Sequence, residues 1–206
     1  MSKVEANKQM KRDKLLNSSF HLFTTKGFHK TSISDIVEQS GVGKGTFYLY
    51  FKDKLDIRNK LVAHKSSILF KNAYNALDRE AITDFTDRFI FVIDQIIDQL
   101  SNDHLLMNFI AKNLSWGIFK NAISNPISND DMDFEQFFQQ LIEHSPIKFR
   151  NPETMFFMII ELTGSSCYSC ILNNDPLPIN EFKPFLYDTI RGIIHQESIA
   201  TVALTV

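Results

Sequence analysis

Cysteine is nearly absent from this chain of 206 residues: there are two, Cys167 and Cys170. That is too few for a disulfide-built scaffold. Seven glycines and six prolines leave few places for turns, and so argue for a helix-rich chain. Long apolar runs are missing too. The longest strongly apolar run, Met155–Ile160, falls far below the roughly 20 residues that cross a bilayer. The opening MSKVEANKQMKRDK is too polar for a signal peptide. A soluble, cytoplasmic protein without a membrane partner is therefore expected. The six histidines are scattered without metal-ligand spacing, and no Ser/His/Asp arrangement stands out. No catalytic residue, metal or cofactor is expected, and an enzyme is not.

What is abundant is phenylalanine, 19 residues of it, in a chain that is 44% hydrophobic. This is enough for a sizeable, bulky core in one large domain or in a small and a medium one. The charge is unevenly spread. Residues 1–60 carry 12 Lys and Arg against 6 Asp and Glu, whereas residues 61–206 carry 10 against 18. A basic front and an acidic remainder point to a polyanion partner for the first third alone.

Apolar spacing predicts a first helix from about Lys8 to Lys26, with Leu16, Phe20 and Phe23 on one face. Gly27 supplies the left-handed residue that stops it, with Phe28 folding back. In KTSISDIVEQSG, Ser32 and Asp35 resemble a capping box, and Gly41 closes a short second helix. A third helix is expected from Gly43–Lys44 to near Phe51, and a longer fourth from Asp53. Every later segment reads as helix. Residues 153–173 are apolar nearly all round, which implies a helix buried on most sides. The closing IATVALTV fits no stripe.

SGVGKGTFYLYF, from Ser40 to Phe51, holds three glycines followed by four aromatic rings, Phe47, Tyr48, Tyr50 and Phe51, in a stretch that suits a helix. A phosphate-cradling loop fails on spacing, since a Walker loop needs G-x-x-x-x-G-K-[ST] after a strand. The alternative is a helix-turn-helix in a basic region. Phe47 and Phe51, one turn apart, would then pack inward on Ile33, Ile36 and Val42. Lys44, Gly45, Tyr48 and Leu49 would face out, offering a cation, a bare backbone and an aromatic hydroxyl to a DNA groove. Lys44 suits a guanine edge and Leu49 a thymine methyl, while tyrosine hydroxyls at 48 and 50 suit phosphate oxygens. A solvated surface turn in a helical bundle remains the plainer reading of the pattern alone.

TSISDIVEQSGVGKGTFYLYFKDKLDI, residues 31–57, with FTTKGFHKTS before it, resembles the signature of the TetR/AcrR family of transcriptional regulators. The resemblance is close over about the first 60 residues and extends beyond them only in length and helical layout. It implies an all-α fold: a helix-turn-helix DNA-binding domain over 1–52, then a larger helical effector-binding and dimerisation domain over 53–206. It implies phosphate contacts by Ser32 and Ser34 with Thr31 nearby, a recognition helix carrying Lys44, Gly45, Thr46, Tyr48, Leu49 and Tyr50, and a phosphate-gripping Lys54. Gly43 stands where a capping Ser is frequent, and Leu55 where an acidic residue is frequent.

The family also implies a homodimer and an inducer pocket. Aromatic helices beyond residue 80 offer Phe89, Ile93, Phe109 and Asn113 as pocket residues, with Trp116, Phe137 and Met158; plain core is the alternative for each. Glu161, interrupting an apolar run, would face a cationic ligand, pair with Lys or Arg, or reach solvent. TGSSCYSC (163–170) is a run of small residues that lets helices approach. Gly164, Ser165, Cys167 and Tyr168 are thus candidates for a dimer seam with Phe182, Leu186, Ile190 and Ile193. Cys167 and Cys170 alternatively form a redox pair, but two thiols do not complete a zinc site. The expected protein is a repressor that a small-molecule effector releases from a double-stranded, pseudo-palindromic operator. The rival is a ligand-independent DNA-binding structural or adaptor protein of the same fold.

Overall fold

The computed structural model describes residues 3–113, 142, 145 and 147–199. Among them the chain is all-α, with eight helices and one pair of two-residue strands. α1 (Lys3–Thr25), α2 (Ile33–Ser40) and α3 (Lys44–Tyr50) form the front. α4 (Lys54–Leu77), α5 (Phe85–Asn102) and α6 (His104–Asn113) follow, and α7 (Pro152–Asn173) and α8 (Ile179–Glu197) close the bundle. α1 begins five residues earlier than expected, because nothing in VEANKQM breaks a helix.

Local chemistry sets the boundaries. Gly27 (φ +88°) and Gly41 (φ +64°) occupy the left-handed region that ends α1 and α2. Ser32 and Asp35 close a full capping box: Ser32 Oγ accepts from Asp35 N at 3.1 Å, and Asp35 Oδ2 accepts from Ser32 N at 2.7 Å. Asp53, Asp84 and Asn151 cap α4, α5 and α7 in the same way, each accepting from the amide three residues on. Gly43 offers α3 no side-chain cap.

Packing joins these helices into one body. A single cluster of buried side chains runs from Leu15 and Phe47 through Leu61 and Ile97 to Ile159 and Ile194. α4 bridges the halves, touching α1, α5 and α6, while α8 lies on α7 and α5. Ion pairs fasten α8 to α5: Lys183 Nζ meets Asp94 at 2.5 Å and also Asp98, and Arg191 meets Asp87 at 2.7 Å. The Tyr187 hydroxyl donates to Asp94 as well. At the far end, β1 (Lys148–Phe149) pairs antiparallel with β2 (Ser198–Ile199). Part of the otherwise unassigned tail thus ties the end of α8 to the start of α7.

Two expectations about α7 are corrected. It is long and apolar enough to cross a membrane by length and composition, although no single run in it is. Glu161 and the small polar residues after Thr163 break the runs without making the helix polar. Nor is it buried on most sides, since only a third of its most apolar window is buried within the chain. Phe157, Glu161, Gly164 and Ser165 form an exposed strip along it. On α8, Phe185 is 63% exposed although it belongs to the apolar stripe. Leu105 likewise turns outward from the α6 stripe.

Candidate nucleic-acid interface

The geometry of α3 follows from two aromatic anchors. Phe47 and Phe51 are fully buried, their ring centroids 5.6 Å apart. They sit in the cluster with Leu16, Ile36 and Val42. Burying a phenylalanine removes a large apolar area from water, contributing on the order of 2–3 kcal/mol each. With that side fixed, the opposite side is solvent: Leu49 is 81% exposed and Tyr48 52%. Lys44 and Gly45 are exposed beside them, and Thr46 and Tyr50 are half-buried. A Cβ at Gly45 would meet nothing within 4 Å, so the backbone there is open to a close partner.

At the start of α2, Ser32 is exposed and Ser34 stands beside it on the first turn. The Ser32 hydroxyl oxygen accepts from the Asp35 amide, and the hydroxyl also helps to hold the Asp35 carboxylate. Asp35 would put an anion where a phosphate is expected, but Lys26 Nζ lies 2.7 Å from its carboxylate. That ammonium, with the Ser32 amide and hydroxyl, holds the Asp35 carboxyl down at about 2.

Two expected contacts are placed differently. Thr31 is buried, and its hydroxyl donates to Gly27 O at 2.8 Å, so its side chain serves the turn. Lys54 Nζ donates to Phe28 O and Thr31 O, both at 2.8 Å, and sits 4.5 Å from the centre of the Phe28 ring. The resemblance implies a phosphate for Lys54; within the chain its donors are directed at the backbone.

Sequence reasoning missed two neighbours. Arg58 also lies over the Phe28 ring, 4.7 Å from its centroid. Lys60 Nζ donates to Tyr50 O at 3.1 Å, at the C-terminus of α3. Their spacing from Lys54 and Asp56 was the available signal, since residues four apart share a helix face.

Among the expected effector residues, Ile93 and Phe109 are buried and Phe89 and Met158 half-buried. Phe89 packs edge-on to Phe156 with centroids 5.1 Å apart, and Phe109 meets Phe20 of α1 at 5.3 Å. Glu161 lies on the exposed strip of α7, which takes it out of any interior pocket. Trp116, Phe137 and the side chain of Asn113 lie outside the described residues.

Of the expected seam, Gly164 and Ser165 are exposed and Tyr168, Phe182 and Ile193 half-buried. Cys167, Leu186 and Ile190 are buried inside the chain. Their burial takes these three out of the expected seam: α7 and α8 pack on each other within the chain, so their inner residues are spent there. Burial pushes the Cys167 thiol up to about 12 and raises Cys170 as well. Both therefore stay protonated and unreactive near neutrality. Among the described residues, no group of three His, Cys, Asp or Glu side chains could hold a metal ion.

Comparison with known proteins converges on the same region. Residues 15–61 match the family model for bacterial regulatory proteins, tetR family. The fatty acid metabolism regulator protein of Bacillus subtilis (strain 168) is 28% identical over 99 residues, 48% of this chain and 50% of that one. The chain thus spans half the length of that curated relative. In overall fold it is similar to the transcriptional regulator FadR from Bacillus subtilis in complex with stearoyl-CoA. The TM-score is 0.62 at 15% identity, covering 86% of this chain and 96% of that one. A TetR-family transcriptional regulator from Haemophilus influenzae RD aligns over 96% of this chain and all of its own length, with TM-score 0.58 and 14% identity. Residues 15–61, the helix-turn-helix with its outward-facing Lys44–Tyr50 surface, are thus similar to bacterial regulatory proteins of the tetR family, and the all-helical body behind them shares the fold of solved TetR-family regulators.

Proposed function

We propose that the protein is a dimeric repressor whose helix-turn-helix, residues 1–52, reads a pseudo-palindromic operator. The remaining residues, 53–206, form the effector-binding and dimerisation domain. The observation that carries this reading is the two-sided character of α3: Phe47 and Phe51 are fully buried, while Leu49 and Tyr48 stand in solvent. An 81% exposed leucine beside an exposed lysine on a seven-residue helix has no use inside the chain. It suits a thymine methyl and a guanine edge in a major groove. Ser32, Ser34, Tyr48 and Tyr50 position the module on phosphates, while Lys44 and Leu49 specify sequence.

The exposed strip of α7 and α8 is the seam for a second copy. Phe157 and Phe185 would supply apolar area, and Gly164 and Gly192 close approach. A Cβ at either glycine would meet nothing within 4 Å in the isolated chain, so packing inside one protomer does not require glycine there. Two copies would set their α3 helices in successive major grooves, about 34–36 Å apart.

An effector with an apolar chain fits the interior best. Phe85, Phe89, Phe149 and Phe156 form a continuous aromatic group between α5 and α7. The similarity to a fatty acid metabolism regulator supports an acyl group as that chain. Effector and operator would weaken each other's binding by linkage, with α4 carrying the change. As for its relatives, which are bacterial regulators, the cytoplasm is the place of action.

The test starts from a duplex selected by the full chain out of a randomised library. Lys44→Ala should relax base preference on it, and Tyr48→Phe should weaken all sequences alike. Footprints of both variants identical to wild type would refute the assigned groove face. Long-chain acyl-CoA added to the complex should release the duplex; no release by any acyl chain length would refute the effector class.

A further inference from the structure

A serine or threonine inside a helix can return its hydroxyl to the carbonyl one turn back. Ser101, Ser166 and Thr189 do so here, at 2.8, 2.6 and 2.8 Å. Ser66 of α4 and Thr163 of α7 do not: each holds a buried hydroxyl oxygen without a hydrogen-bond partner. Ser66 is 4% exposed and shares the buried face of α4 with Val62, Leu69 and Ala73, the positions one and two turns away on a helix. Thr163 shares a face of α7 with Ile159 and Cys170, both buried. The two hydroxyls are thus turned into the body from two helices that both touch α6. Buried polar groups in folded proteins are as a rule hydrogen-bonded, and leaving one unsatisfied is costly. Two in one interior call for a partner that the chain itself does not supply.

The surroundings restrict what that partner is. Among the described residues no buried side chain is charged, so an ionised group there would lack a counter-charge. Seven residues back along the same face of α7, about 10 Å, lies Phe156, which belongs to the aromatic group with Phe85, Phe89 and Phe149. A ligand lying along this face meets aromatic rings at one end and an unpartnered hydroxyl at the other. We propose that Ser66 and Thr163 are the polar anchors of the effector site, donating to an uncharged oxygen on an otherwise apolar ligand, the carbonyl of an ester or thioester. This rests on the proposed acyl effector and adds what fixes the chain of that effector in place.

Such anchors make stability and binding move in opposite directions. Replacing a buried hydroxyl that has no partner by an apolar group of like shape is neutral or stabilising. Ser66→Ala and Thr163→Val should therefore melt at or above the wild-type temperature, yet bind ligand less well. The probes are palmitoyl-CoA and hexadecyl-CoA, a thioether with a methylene in place of the carbonyl, titrated calorimetrically into the full chain without DNA. Wild type should prefer palmitoyl-CoA by roughly 25-fold, about fivefold for each hydroxyl. Each substitution should weaken palmitoyl-CoA by about fivefold and leave hexadecyl-CoA unchanged, so that the double variant no longer distinguishes the two. Thr163→Ser, which keeps the hydroxyl, should retain the preference.

Lowered melting temperatures with the ligand preference intact would mean that the hydroxyls hold structural water in the empty protein, and would overturn the assignment. Equal affinity of wild type for the two CoA ligands would overturn it as well. So would palmitate binding as tightly as palmitoyl-CoA, because a carboxylate would then be accepted in its charged form. Binding of palmitoyl-CoA that ignores both substitutions sinks this assignment alone and leaves the acyl effector standing. If palmitoyl-CoA does not bind wild type at all, the acyl effector fails and takes the anchors with it.

Discussion

The front of the molecule and its remainder are held by interactions of different reach. In residues 15–61 short-range devices dominate: the Ser32–Asp35 capping box, glycines in the left-handed region and Thr31 closing its own turn. Behind them, ties of long sequence separation prevail, such as Lys183 to Asp94 and Asp98, and Arg191 to Asp87. Short-range chemistry makes a module whose surface is set by a few dozen consecutive residues. Long-range chemistry makes a body whose surface can vary while the fold persists. The family model stopping at residue 61 coincides with that change.

The comparison can be broken most severely at Phe47. Phe47→Ala removes a fully buried ring from the shared core and should cost about 3–5 kcal/mol. Thermal denaturation should register the loss, and DNA binding should vanish with α3. If instead the variant melts as wild type does, the front is not anchored as described. Lys183→Met should cost less, on the order of 1–2 kcal/mol, since it strips two half-exposed carboxylates of their common cation. Its folded fraction should still bind the selected duplex normally, which would confine the effect to the body.

Much of the front was readable in the sequence because each of its devices is written in adjacent residues. Ser32 with Asp35, Gly27 with Phe28, and Phe47 with Phe51 all lie within about one helical turn. The seam was read less well. Gly164 and Ser165 do face out, but Cys167, Leu186 and Ile190 are consumed by packing between α7 and α8. Periodicity marks an apolar face without saying whether the chain itself or a second copy covers it. Lys54 differs again: the resemblance implies a phosphate for it, and only the fold reveals the three backbone carbonyls around it.

A dimer seam on the outer strip is sharpened by Gly164→Leu. The new side chain meets open space in one protomer, so melting of the monomer should change little while sedimentation shifts toward monomer. An unchanged dimer would move the seam elsewhere.

The smallest effect expected is one of pH. Folding lowers the Asp35 carboxyl from 3.8 to about 2. A depressed carboxylate stabilises the fold above its unfolded value and loses that contribution as pH falls through the folded one. Stability should therefore decline between about pH 4 and pH 2, and Asp35→Asn should remove part of that decline. An identical acid profile for the variant would show that the Lys26 pair contributes nothing.

The most direct measurement replaces Leu49, the most exposed apolar residue of α3, with the photo-crosslinking residue p-benzoylphenylalanine and irradiates the complex with the selected duplex. Crosslinks to bases at one edge of the major groove, absent with the same residue at the exposed Glu38 of α2, are the predicted result. Efficient crosslinking from position 38 with none from position 49 would contradict the account.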